Sequence, residues 1–173
     1  MTKQNYRLYS FVANGYLSPL QCGLQTAHVV SEIANDVASH KGEDIHSYRA
    51  FFEWAEQDKT IIICAAFNHQ GVVDCYTELE RTGRDALCLP SAIFREDEQS
   101  MNSMATACGI VVPQKYWDTK FVPAPEPVFS NQEVNQFLAK WVYVDAETGR
   151  ETEYPLTHAE GQFIAHIKGY RLA

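Results

Sequence analysis

The chain has 173 residues, 46% apolar and 21% charged, which fits one folded domain with a sizeable core and excludes a disordered tail or fibrous repeat. Fourteen Lys and Arg face 22 Asp and Glu, a formal net charge of -8. That balance weighs against a non-specific DNA binder or a polybasic membrane-surface protein, since both need a surplus of cations facing phosphates.

Met1 to Asn5 runs into Tyr6 without the apolar stretch of a secretory leader, and no apolar run approaches the roughly 20 residues that span a bilayer. Cys22, Cys64, Cys75, Cys88 and Cys108 are odd in number and scattered, with no C-x-x-C pair. They are expected to be reduced and mostly buried, in a cytoplasmic protein with no membrane partner.

Tyr6 to Ala13 alternates and predicts a strand that ends at the Asn14-Gly15 turn signal. A helix follows, with Ser18 as N-cap, Pro19 in the first turn and Gln21 completing an S-x-x-Q capping box. Leu20, Leu24, Ala27, Ser31 and Ala34 recur at helical spacing and predict its apolar face, widened by Val30, Ile33 and Val37. Ile45 to Gln57 predicts a second helix with Phe51, Phe52, Trp54 and Ala55 available for burial. Thr60 to Ala66 lacks polar alternation, the pattern of a strand covered on both faces. Gly71 to Arg81 predicts a helix, Ala86 to Phe94 a strand interrupted near Pro90, and Ala105 to Val112 a further strand.

This order predicts an α/β fold, with three αβα layers around a mixed, mostly parallel four-stranded sheet that has one antiparallel member. Residues 1–112 form that domain, and 113–128, with Pro123, Pro125 and Pro127, form a proline-rich connector. Residues 129–173 form a C-terminal α+β appendage, with a helix over Asn131 to Lys140, a strand over Trp141 to Asp145 and a helix near His158 to Ile167. Too short for a core of its own, the appendage is expected to pack on the domain or across a homodimer.

Gln21, Gln25, His28 and Glu32 form one polar stripe from the start of the first helix, where free N–H groups favour an anion. Arg95-Glu96-Asp97-Glu98-Gln99-Ser100 follows the third strand, and Thr106 opens the fourth. With the first and third strands parallel, these segments converge on one sheet edge. Taken singly, each has a plainer account: a solvated helix face, an acidic loop, a good strand residue. His28 and Glu32 could supply half of a metal site, but no third ligand stands at helpful spacing, so neither metal nor other cofactor is expected. No G-x-S-x-G, P-loop or G-x-G-x-x-G motif occurs.

Leu17-Ser18-Pro19-Leu20-Gln21-Cys22-Gly23-Leu24-Gln25-Thr26-Ala27-His28 resembles the first-helix signature, L-S-P-x-Q-x-x-x-Q-x-x-H, of the type II peptidyl-tRNA hydrolase family in its bacterial and phage-like branch. Phe94-Arg95-Glu96-Asp97, with Met104-Ala105-Thr106-Ala107, resembles that branch's second signature, an acidic loop leading to a T-A strand. The resemblance covers about residues 6 to 112. It implies a small metal-independent domain that hydrolyses the ester between a peptide and the 3′ ribose of tRNA. The family's glutamine falls on Gln25, its histidine on His28, its acidic residue on Asp97 or Glu96 and its threonine on Thr106. Gln21 stands where classical members have a lysine.

On that reading Asp97 or His28 activates water, and Gln25 and Thr106 hold the oxyanion. Ser18, Gln21, Tyr16, Arg81, Arg84, Arg95 and Glu96 are the candidates for gripping the tRNA 3′ end, with Tyr16 as a stacking platform. Two other functions fit the same residues. One is a catalytically inactive member of the fold that binds a protein partner through its acidic surface, and the other is a hydrolase of a small nucleotide or another ester.

Overall fold

In the computed structural model, which describes residues 5–39, 45–122, 140–144, 151–154 and 156–173, strand β1 (Tyr6–Val12) feeds two cores at once. Leu8 and Val12 face one side of the sheet and Phe11 the other. Helix α1 (Pro19–Ser39) opens on the expected capping box, with Ser18 N–H donating to Gln21 Oε1 at 2.9 Å and Gln21 N–H to Ser18 Oγ at 3.3 Å. Helix α2 (Ile45–Glu53) runs into a wider π-type turn, Trp54–Asp58, before β2 (Ile61–Ala65). Asn68 caps α3 (His69–Leu79), its side chain accepting from Gly71 N–H at 2.9 Å. A second π-type turn, Glu80–Arg84, and the single turn α4 (Asp85–Leu87) lead to β3 (Ser91–Arg95). Then come α5 (Glu98–Met101), the wholly buried β4 (Ala105–Pro113), α6 (Gln114–Trp117), β5 (Thr119–Val122), β6 (Lys140–Val144), β7 (Glu151–Tyr154) and α7 (His158–Lys168).

The main sheet has the order β2-β1-β4-β3. β1 is parallel to β2, and β4 is antiparallel to both β1 and β3. Three strands therefore point one way, and the expected antiparallel member lies inside the sheet, which leaves one parallel pairing. Val29, Ile33 and Val37 of α1 pack with Phe51 and Trp54 on one face. Val72, Cys75 and Leu79 of α3 pack with Phe163, Ile164 and Ile167 of α7 on the other. The result is an α/β fold with helices on both faces of a mixed four-stranded sheet. A smaller antiparallel sheet takes the order β5-β6-β7.

Several local expectations shift. The buried face of α1 is Cys22, Gln25, Thr26, Val29, Ile33 and Val37, while Leu20, Leu24, Ala27 and Ser31 are exposed. The helix is thus rotated toward its β-branched stripe, whose four buried members Thr26, Val29, Ile33 and Val37 face β1, β3 and β4. Helix α3 starts at His69 because Asn68 supplies the cap, and β3 starts after Pro90, which has no N–H to give a ladder. Within 113–128, Gln114–Trp117 is helical and Thr119–Val122 is a strand; the three prolines and the expected 131–140 helix lie outside the described residues, save Lys140 in β6. Strand β2 is an edge strand, and the backbone of Arg171–Ala173 covers it: Ala65 N–H donates to Arg171 O at 2.8 Å and Ala173 N–H to Ile63 O at 3.0 Å.

Helix α7 belongs to the core and is held by one carboxylate. Glu160 Oε1 accepts from Tyr116 Oη at 3.0 Å and Lys115 Nζ at 3.2 Å, and Oε2 accepts from Thr157 N–H at 2.9 Å. Burial alone would raise the Glu160 carboxyl, but the hydrogen bonds from Thr157, Tyr116 and Lys115 outweigh it and hold the group below the ordinary glutamate value. A carboxyl held low in the fold adds stability above its unfolded pKa and loses it as pH falls through the folded value. Glu160→Gln should therefore lower the melting temperature clearly at pH 7 and by less near pH 3, because the gap narrows as falling pH protonates the wild-type carboxyl. Thermal melts at both pH values test this, and an equal gap at both would remove the charge from the account.

Candidate active site

The site lies at the sheet edge where β1, β2 and β3 end and β4 begins, and a break in the strand register creates it. Phe94 pairs with Ala107 but the next residue, Arg95, pairs with Ala105, so β4 carries one extra residue there, Thr106. Val111 and Ala107 face α1; strict alternation would send Ala105 the same way and Thr106 to the α3 side. Instead Ala105 joins the α3 core, and the bulge turns Thr106 toward α1.

There Thr106 meets a helix packed unusually close. A Cβ at Gly109 would sit 2.8 Å from Tyr9 O and 2.8 Å from Val29 Cγ1, so α1 rests where only glycine leaves room. Thr106 Oγ1 donates to Gln25 Oε1 at 3.0 Å, and Gln25 Nε2 donates to Glu96 Oε1 at 2.7 Å. Thr106 Oγ1 also stands 3.4 Å from Glu96 Oε1. Gln25 and Thr106 are buried, at 7% and 0% exposure, and Glu96 is half-buried above them. A second buried pair, Ser10 Oγ with Thr26 Oγ1 at 2.9 Å, extends the polar contact between α1 and the sheet.

Of the two adjacent acids, then, Glu96 joins Gln25 and Thr106. Asp97 is exposed and caps α5, accepting from Gln99 N–H at 2.6 Å. His28, one turn along α1 from Gln25, stacks its ring on Phe94 with centroids 4.3 Å apart, propping the end of β3. The loop closes through Glu96 N–H to Met104 O at 2.9 Å, and Tyr16 Oη donates to Met104 Sδ at 3.2 Å. Burial and the Glu96 carboxylate push the Tyr16 hydroxyl above its ordinary value. Ser18 and Gln21 are engaged with each other in the helix cap, and Arg95 is exposed at the end of β3, with Nη1 3.4 Å from Ser103 O.

Arg81 and Arg84 do not join this group. They follow α3, which starts at the site end, so Arg84 lies about 20 Å along the helix from His69 at roughly 1.5 Å per residue. Arg81 pairs with Glu78 at 2.8 Å, and Arg84 lies 3.6 Å from Asp36 near the far end of α1. Two residues absent from the sequence-based set stand at the same end of the sheet. His69 Nδ1 accepts from Ala105 N–H at 2.8 Å, anchoring β4 beside Thr106. Phe67, between β2 and α3, adopts a left-handed backbone at φ 68, a conformation that costs a non-glycine residue about 1–3 kcal/mol. Neither carries a sequence signal, because each depends on which strand ends share an edge.

A cavity of about 300 Å³ at the other end of β1, lined by Asn5, Arg7, Asp58, Thr60, Gln114 and Trp117, is a rival location. Its polar groups are largely spent on one another: Asn5 Nδ2 donates to Gln114 Oε1 at 3.0 Å and Gln114 Nε2 to Asp118 Oδ2 at 2.8 Å. No group of three His, Cys, Asp or Glu side chains suited to a metal ion occurs among the described residues, and no helix among them is long and apolar enough to cross a membrane. Comparison with protein-family models and with curated proteins finds no match.

Gln25 bridges Thr106 and Glu96, so Gln25→Leu leaves a buried hydroxyl with only its long 3.4 Å contact to Glu96 and should cost about 1–3 kcal/mol. Adding Thr106→Val should return part of that loss. Urea denaturation of the two single variants and the double variant measures the coupling; strictly additive losses would show the bridge to be energetically idle.

Proposed function

We propose that this chain is an ester hydrolase of the peptidyl-tRNA hydrolase kind, with Glu96 as its general base. The observation that carries the reading is the convergence of Gln25, Glu96 and Thr106 within 2.7–3.4 Å, from a helix, a loop and a strand. These residue types are the ones the resemblance implies, and open α/β sheets bind ligands at this kind of edge.

Gln25 and Thr106 hold one oxygen of the half-buried Glu96 carboxylate, which leaves its other oxygen to take a proton from water. The water oxygen bonds to the ester carbonyl carbon, and the second N–H of the Gln25 amide is the donor available to the oxyanion. The bond from that carbon to the ribose oxygen then breaks, and the proton held on Glu96 passes to the departing oxygen. His28 acts through Phe94 as a positioning residue, and the tRNA 3′ end is the partner.

A second reading, a non-catalytic binding module, draws on Gln21. The cap with Ser18 occupies its side chain, and no cation stands where classical family members carry lysine. One assay separates the two. Wild-type protein should release the acyl group from N-acetyl-aminoacyl-tRNA, Glu96→Gln should lower kcat by about 10²–10⁴-fold, and Asp97→Asn should retain turnover. An ester left intact at high protein concentration across a broad pH range would overturn the hydrolase reading in favour of the binding module.

A further inference from the structure

Phe67 presents an aromatic ring at the end of the sheet that carries the site, 68% exposed and held on the left-handed backbone described above. Its backbone is fixed on every side. Phe67 N–H donates to Asn14 Oδ1 at 3.1 Å, Gly15 N–H donates to Phe67 O at 2.7 Å, and Asn68 N–H closes a γ-turn onto Ala66 O at 2.9 Å. Gly15 gives the ring its seat, since a Cβ there would sit 2.6 Å from Phe67 O and 3.2 Å from two ring carbons. Gly15 also leads to Tyr16, itself 46% exposed and tied through its hydroxyl to Met104, whose carbonyl accepts the Glu96 N–H. On the other flank, two residues on from Phe67, His69 holds the start of β4 beside Thr106. A run of backbone and side-chain hydrogen bonds therefore leads from the Phe67 turn to the Gln25, Glu96 and Thr106 group.

We propose that Phe67 is a stacking platform for the terminal nucleobase of the substrate, with Tyr16 bounding the same subsite, an inference that rests on the hydrolase reading. An ester on a terminal ribose at Glu96 carries its base within one sugar's width of the scissile bond, and among the described residues the large aromatic side chains exposed at this end of the sheet are Phe67 and Tyr16. Stacking on a ring whose backbone is already fixed loses little conformational freedom. It also needs no cation, in keeping with a chain of net charge -8 whose Arg81 and Arg84 lie elsewhere. Every base offers a π-face, so the platform fixes the position of the terminal nucleotide without demanding one base.

The test is a double-mutant cycle on the full chain, with binding read by fluorescence anisotropy of a labelled single-stranded RNA tetramer and of the same tetramer lacking its 3′-terminal base. Removing the base should weaken binding to wild-type protein about tenfold; Phe67→Gly should weaken binding of the intact tetramer about as much and show no further loss with the abasic one. Phe67→Trp should retain affinity. Because glycine accepts the left-handed backbone freely, the melting temperature of Phe67→Gly should be held or raised, which separates a lost ligand contact from a lost fold. Independent losses from base and ring, absence of tetramer binding by wild-type protein, or a Phe67→Gly variant that loses affinity only together with its fold would overturn the proposal. Coupling between ring and base in a protein that leaves the acyl ester intact would sustain the platform and sink the hydrolase reading, whereas ester hydrolysis without coupling would sink the platform alone.

Discussion

The close seat of α1 on β4, at Gly109, governs the geometry of the whole site. Tyr9 O and Val29 Cγ1 approach the glycine so nearly that a methyl group there would lift the helix. Hydrogen bonds lose strength over a few tenths of an ångström, and those of Gln25 to Glu96 and from Thr106 stand at 2.7 and 3.0 Å. A helix raised by the thickness of one methyl would break both. The β4 bulge is the second half of the same constraint, because it turns Thr106 to the face that α1 approaches. Neither feature suffices alone.

Local chemistry was legible in the chain wherever it is decided by neighbours. The Ser18 to Gln21 capping box, the turn at Asn14-Gly15, the antiparallel member of the sheet and the α7 helix all follow from short-range signals. The apolar face of α1 did not, since Leu20 and Leu24 have the right spacing but no sheet beneath them. Choosing between Glu96 and Asp97 required the bulge, a mismatch between two strands that neither strand records by itself. Placing Arg81 and Arg84 required the direction of α3 relative to the edge that holds the site. Phe67 and His69 gain meaning only from the order of strands in the sheet.

Buried polar groups give this site its rigidity. Gln25 and Thr106 are buried, so their mutual hydrogen bond replaces solvation they have lost, and the arrangement tolerates few alternatives. Glu160 does the same work at the other packed interface, where one carboxylate joins α6, α7 and the turn at Thr157. On one face of the sheet α1 is thus tied to β4 by apolar contact together with a specific polar contact, and on the other a buried carboxylate ties α7 to α6.

The covering of β2 by Arg171–Ala173 bears on how the chain reaches this structure as it is synthesised. Ile61 to Ala65 emerges from the ribosome well before the residues that close its outer edge. Until then β2 can pair with β1 on one side while its other row of N–H and C=O groups stays open, on an apolar strand suited to joining a neighbouring chain. Nascent chains held close together on one message are therefore open to strand exchange at β2 until Arg171 to Ala173 arrive to cover it.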